Sequence, residues 1–130
     1  MSRIRSRDTG PERTVQGLVR SLGFRPQANR RDLPGVPDLV FPKRKIVLFV
    51  HGCFWHRHAR CKYAYLPKSN RAFWTSKFRA NVQRDRQVRK QLVRFGWRAV
   101  VVWECELESA ESLKTRLKRA LATRHSSVAK

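Results

Sequence analysis

The run Ile46-Val47-Leu48-Phe49-Val50 is the strongest constraint on the fold, because a strand without a polar face must be covered on both sides. It places residues 45–50 in the middle of a sheet. Asp38-Leu39-Val40-Phe41 precedes it across the turn Pro42-Lys43-Arg44, and Ala99-Val100-Val101-Val102-Trp103 supplies another buried-type strand. The cover comes from helices. Thr9-Gly10-Pro11-Glu12 has the form of a capping box with an early proline. Val15, Leu18, Val19 and Leu22 then recur at helical spacing before Gly23, which predicts a helix over 10–22. Trp74, Phe78, Val82, Val88, Leu92 and Phe95 mark one stripe of a long helix from Asn70 to Phe95, ended by Gly96 and basic on its other face. Leu113, Leu117, Ala120 and Leu121 place a last helix over 110–123, and 24–28 reads as a short edge strand before a turn-rich loop. The order helix, strands, helix, strand, helix predicts an α/β fold with a central mixed β-sheet flanked by helices.

Charge then narrows the partner. The 130 residues fit one domain able to bury a core without disulfides, yet 30 Lys and Arg against 9 Asp and Glu leave a formal net charge of +21. Such self-repulsion works against compaction, and a phosphate backbone is the partner that relieves it. Packaging proteins share the charge but not four Trp and a Cys/His cluster. No stretch approaches the ~18 apolar residues of a membrane span, and the first ten residues lack an apolar signal region, which together predict a cytoplasmic protein with no membrane partner. Three cysteines cannot all pair within the chain, so metal ligation or burial is their expected use.

The stretch VHGCFWHRHARC, residues 50–61, concentrates the candidate chemistry. Cys53, His58 and Cys61 have the spacing C-x4-H-x2-C, and Cys105 ends the strand that begins near Ala99. If the two strands are neighbours, three thiolates and one imidazole form the ligand set of a closed structural Zn²⁺ site. The bland alternative is a set of unligated cysteines and an exposed histidine. His51 and His56 are not needed by that site. Asp38 starts one strand and His51 ends the next, so a short hairpin can bring a carboxylate and an imidazole to one sheet edge. A carboxylate that holds Mg²⁺ beside proton-moving histidines suits phosphodiester hydrolysis. Glu12 could add a second carboxylate or serve only as the reciprocal cap of Thr9. Phe54 and Trp55 read either as an apolar plug over the ligand loop or as a wedge that enters a base stack. Trp74 could join them, with Lys77 and Asn81 on the same helix face able to reach base edges.

These residues resemble the very short patch repair endonucleases, the Vsr-type DNA mismatch nickases. The matching pieces are SRIRSRDTGPE, LPGVPDLVFPKRK, VLFVHGCFWHRHARCKYAYLPKSN, FWTSKFRANVQRDR and GWRAVVVWEC, in family order over residues 2–105. The resemblance implies a restriction-endonuclease-like fold and Mg²⁺-dependent nicking of one strand of duplex DNA next to a T·G mismatch left by deamination of 5-methylcytosine. It implies Asp38 as the catalytic Mg²⁺ ligand, with the Val50 carbonyl as a further ligand. His51 and His56 would act through metal-bound water or as acid and base, and Glu12 would join through water. It likewise implies structural zinc on Cys53, His58, Cys61 and Cys105, intercalation by Phe54, Trp55 and Trp74, and mismatch reading by Lys77 and Asn81. Residues 1–124 would form a single endonuclease domain whose first nine residues are a flexible arm laying Arg3, Arg5 and Arg7 along DNA, with 125–130 a disordered tail. The expected setting is a monomer in the bacterial cytoplasm, on the nucleoid, with a mismatch-repair protein as candidate partner. Where the related restriction enzymes carry Asp/Glu-x-Lys, this chain has Phe49-Val50-His51, and its two-residue gap between His58 and Cys61 is longer than some in the family. Two other functions stay open at this point: a duplex endonuclease with less mismatch selectivity, of restriction or defence type, and a non-catalytic zinc-containing protein that binds distorted DNA.

Overall fold

In a computed structural model, which describes residues 10–28 and 30–122, the chain runs α1 (Gly10–Ser21), β1 (Gln27–Ala28), β2 (Leu39–Phe41), β3 (Ile46–His51), α2 (Arg71–Arg94), β4 (Arg98–Trp103) and α3 (Ala110–Ala122). Short 3₁₀ turns fill Pro42–Arg44 and Glu104–Glu108. The strands form one mixed sheet in the order β1-β2-β3-β4, antiparallel across the first two pairs and parallel between β3 and β4. The apolar run is β3, and it lies inside the sheet as its composition requires.

Because side chains alternate along a strand, β3 feeds two cores. Ile46 and Leu48 pack with Val15 and Val19 of α1 and Leu113, Leu117 and Leu121 of α3. Val47 and Phe49 pack on the opposite face with Leu92 of α2 and Trp97. Shortening a side chain as deeply buried as Leu48 to Ala would cost ~2–5 kcal/mol. The same alternation aims His51, two residues beyond Phe49, at the α2 side of the sheet.

Two sequence expectations change in detail. Only Gln27 and Ala28 of the 24–28 segment pair in the sheet, because Phe24 instead turns into the core, its ring edge-on to Phe41 at 6.2 Å. Phe95, expected on the apolar stripe of α2, is 62% exposed, and Trp97 fills the core position at 8%. The cause is the helix stop. Gly96 has φ +88°, the Trp97 N–H donates to the Leu92 carbonyl and the Gly96 N–H to that of Val93, which closes the helix and swings Trp97 inward.

β4 is an edge strand, and two outward groups near its carboxyl end are covered. Arg116 donates to the Val101 carbonyl at 2.8 Å and holds Glu106, whose carboxylate accepts the Trp103 N–H at 2.9 Å. An edge dressed this way does not recruit another strand. No described helix is long and apolar enough to cross a membrane. Thr9, Asn29, the arginines at positions 3, 5 and 7, and the 125–130 tail lie outside the described residues.

Candidate active site

The parallel register pairs His51 with Trp103, so the carboxyl ends of β3 and β4 finish level and the loops beyond them start side by side. Sites in open α/β sheets gather at such ends. Cys53 and Cys105, each two residues past the paired position, come together there, with the Cys105 N–H donating to the Cys53 Sγ at 3.4 Å. His58 Nδ1 lies 3.4 Å from the Cys105 Sγ, and the ligand atoms of Cys53, His58, Cys61 and Cys105 all fall within 4.8 Å of one another. This cluster could hold a metal ion. Burial, helped by hydrogen bonds from the Cys53 and Cys61 side chains, pushes the Cys105 thiol up to about 12, and burial also raises Cys53. Desolvation opposes the Cys61 thiolate too, but N–H donors of Tyr63 and Ala64 and the neighbouring cysteines outweigh it and lower its pKa. Three sulfurs this close cannot all ionise unaided; a dication would reverse that balance.

A cleft of about 1420 Å³ opens beside the cluster. Its walls include Glu12 and Pro11 of α1, Asp38 and Val50 at the sheet, His51, His56, and Asp85 and Arg89 of α2. Four of the chain's nine acids, Glu12, Asp38, Asp85 and Glu104, line it, so the scarce negative charge of this basic protein is gathered where an ion or a proton could be handled. Asp38 accepts the Val50 N–H at 2.6 Å, which favours its charged form. Burial nevertheless dominates and, with the charge and hydrogen bonding of Glu12, raises its pKa to about 7. The structure therefore brings Glu12 to Asp38.

His51 and His56 stack face to face, 3.8 Å between centroids and 6° between planes. His56 Nδ1 is 2.7 Å from Asp85 Oδ2. Since an ionised carboxylate only accepts, Nδ1 carries the proton in that pair, and in the neutral imidazole the lone pair is then on Nε2. Burial, then the charge of His56, lowers the pKa of His51 to about 4. Although His51, His56 and Asp85 offer ligand atoms within 4.8 Å of one another, parallel rings send their in-plane lone pairs side by side rather than toward one point. The trio is better arranged to handle protons than to chelate.

The aromatic residues pack on one another beside the cleft, which Trp55 lines. The Phe54 ring packs against Trp55, Trp74 and Phe78 with centroids 5.1 to 5.7 Å away, and against the exposed Tyr65 at 5.2 Å. Plug and wedge are both consistent with this packing, since Phe54, Trp55 and Trp74 are each only partly buried. Lys77 and Asn81 line the cleft, as spacing expected. Asn81, however, donates to the Trp55 carbonyl at 3.2 Å and accepts from Arg84, so its amide is engaged with the aromatic group itself.

Three residues at the site were not singled out by the sequence. Asp85 had a signal: it is the one acid between Asp38 and Glu104, and it falls on the stripe of Phe78, Val82 and Leu92, where a carboxylate needs a partner. Trp103 stacks on His58 at 4.2 Å and meets His51 edge-on at 5.3 Å, a wall shared by both clusters, with no signal beyond its place at the strand end. Arg57 lies under the aromatic group, in a loop whose shape the sequence does not announce.

Comparison with known proteins fits this geometry. A family model described as DNA mismatch endonuclease Vsr matches residues 1–62. The Type II nicking enzyme V.XorIIP of Xanthomonas oryzae pv. oryzae is 48% identical over 121 residues, which span 93% of this chain and 88% of that protein. V.NmeAIP of Neisseria meningitidis, also a Type II nicking enzyme, is 40% identical over 92% of this chain and 84% of its own length. DNA mismatch endonuclease Vsr of Escherichia coli is 39% identical over 87% of this chain and 72% of its own.

Proposed function

The chain belongs to the DNA mismatch endonuclease Vsr family, and from that premise we propose that it nicks one strand of duplex DNA beside a T·G mismatch, using Mg²⁺ at Asp38 and a structural Zn²⁺ on Cys53, His58, Cys61 and Cys105. The observation that carries this reading is the meeting of Asp38 and Glu12 with the His51, His56 and Asp85 group in one cleft that Trp55 lines. The mixed sheet with helices on both faces is taken as a restriction-endonuclease-like core. On this reading the protein acts as a monomer that cuts one strand.

The residues fit both metals. A partly buried carboxylate beside a second one gathers negative charge that burial penalises and that a hard dication would neutralise, and the Val50 carbonyl is the expected further ligand. Bound there, Mg²⁺ supplies positive charge to the oxygens of the reacting phosphodiester. His56, oriented through Nδ1 by Asp85, takes a proton at Nε2 from the attacking water. His51 stays neutral at physiological pH and offers a hydrogen bond rather than a fixed charge. Cations around the cleft, Lys77, Arg84, Arg86 and Arg89, draw in the phosphate backbone. Phe54, Trp55 and Trp74 enter the base stack, a step that costs least at a mismatch.

A second reading has its own support: two of the three relatives described above are named Type II nicking enzymes, a name that specifies no mismatch, and on this reading the chain nicks duplex DNA with less mismatch selectivity. Nicking of a T·G duplex against its T·A control separates the two. Mg²⁺-dependent nicking of the T·G duplex alone, abolished in an Asp38→Ala protein that still binds, is the expected result. Equal cutting of both duplexes would replace mismatch repair by the second reading, and a well-folded wild type that never cuts would remove catalysis altogether.

A further inference from the structure

Among the described residues, Arg57 is a partly buried cation whose partners are carbonyls and ring faces rather than a carboxylate. One Nη donates to the Phe54 carbonyl at 3.0 Å and the Tyr65 carbonyl at 3.1 Å, and the other donates to the Ala64 carbonyl at 2.7 Å. Its guanidinium carbon lies 3.9 Å from the centre of the Phe78 ring and 5.6 Å from that of Phe54. Its backbone has φ +53°, the left-handed region, which turns the side chain back under the loop it belongs to.

Three carbonyls converging on one flat donor that also stacks on an aromatic face is a task for a guanidinium. A lysine ammonium brings charge but no planar fork. The bonds join three separate pieces: the strand-end loop carrying Phe54 and Trp55, the 64–65 segment carrying the exposed Tyr65, and α2 through Phe78. Asn81 fixes the neighbouring Trp55 carbonyl to the same helix.

We propose that Arg57 is the positioning residue of the aromatic wedge, presetting Phe54, Trp55 and Tyr65 on α2 in the arrangement that meets distorted DNA. The wedge then does not have to be ordered at the moment of binding, and the saving appears only on duplexes into which it inserts. This rests on the wedge reading of Phe54 and Trp55 given above.

The test compares affinities for a T·G duplex and its T·A control in Arg57→Lys, Arg57→Ala and the double variant Phe54→Ala/Trp55→Ala. Melting temperature and zinc content are measured alongside. Both Arg57 variants are expected to lower the ratio of T·G to T·A affinity by roughly tenfold, as ordering two wedge rings on binding would. A 2-aminopurine placed beside the mismatch should brighten less on binding them, because fewer bases unstack. A purely structural role would weaken both duplexes alike and leave the ratio intact. If the double variant loses the ratio while folded Arg57 variants keep it, the role of Arg57 is overturned and the wedge stands. If the double variant keeps the ratio, the wedge reading falls and takes this proposal with it. Should Arg57→Ala unfold or lose zinc, Arg57→Lys decides, since it retains the charge and the aliphatic stem but not the fork.

Discussion

Asp85→Asn isolates the orienting carboxylate with little change of shape. The bond from His56 Nδ1 to Asp85 Oδ2 is 2.7 Å, and the two side chains are 29% and 32% exposed, which makes it a partly desolvated, charge-assisted pair. Hydrogen bonds of that kind contribute ~1.5–3 kcal/mol. If all of that acts while Nε2 is taking a proton, the chemical step slows by roughly 10- to 150-fold at 1.36 kcal/mol per decade. An asparagine that turned its amide N–H toward Nδ1 would place the imidazole proton on the wrong nitrogen. A loss on the order of 10⁴, the size found when the orienting Asp of a Ser-His-Asp triad is replaced, is the upper bound.

The assay is single-turnover nicking with protein in excess over a T·G duplex, with duplex affinity measured separately. We expect a rate at least ~10-fold lower and an affinity unchanged or higher, because the substitution removes a negative charge from a cleft that binds phosphates. His56→Ala combined with Asp85→Asn should be no slower than His56→Ala alone, since a residue that acts only through His56 has nothing left to orient. A rate within about threefold of wild type, or a full second loss in the double variant, would refute the reasoning.

Two further outcomes follow from the titrations. Asp38 must be ionised to hold a cation, and its pKa of about 7 puts half of it in the protonated form near neutrality; apparent Mg²⁺ affinity in binding titrations should therefore rise about tenfold per pH unit below 7 and level off above it. Glu12→Gln removes the repelling charge and should move that inflection to lower pH; an unmoved inflection would show that burial alone sets it. Cys105→Ser should release zinc and lower the melting temperature, measured by elemental analysis and calorimetry, because one ligand of four is lost and the end of β4 is no longer tied to the 53–61 loop. One zinc retained per chain would remove Cys105 from the ligand set.

What the sequence could show depended on how local the cause was. The apolar run 46–50 required a covered central strand, and a three-residue turn fixed its antiparallel partner, so the nearness of Asp38 to the end of β3 was legible from chain length alone. Cys105 could be matched to Cys53 because buried strands have few places to go in a small sheet. The 52–70 loop was not legible. Arg57, Arg60 and Asn70 all take positive φ without being glycine, and of the three only Asn70 is a residue with a local preference for it. The spacing of Trp74, Lys77 and Asn81 correctly put them on one helical face, but not that the Asn81 amide would turn to the Trp55 carbonyl. Phe95 falls on the stripe by spacing although it is the residue just after the last helical turn, and the reversal at Gly96 carries Trp97 rather than Phe95 into the core.

The two clusters are coupled by geometry rather than by shared ligands. His56 and the Phe54-Trp55 pair lie between Cys53 and His58 in the chain, so whatever closes the cluster also fixes the imidazole and the aromatic pair. His58 and His51 meet opposite sides of the same problem at Trp103, one stacked on its ring and the other against its edge. A one-residue slip of β4 against β3 would exchange the faces of alternate side chains, turning Trp103 away from the α2 side and Val102 toward it. That slip would break the Cys/His cluster and the histidine stack at once. A register specified by burial on both sheet faces therefore fixes where a loop without regular structure begins, and it brings the candidate groups for recognition and chemistry together at the carboxyl ends of β3 and β4.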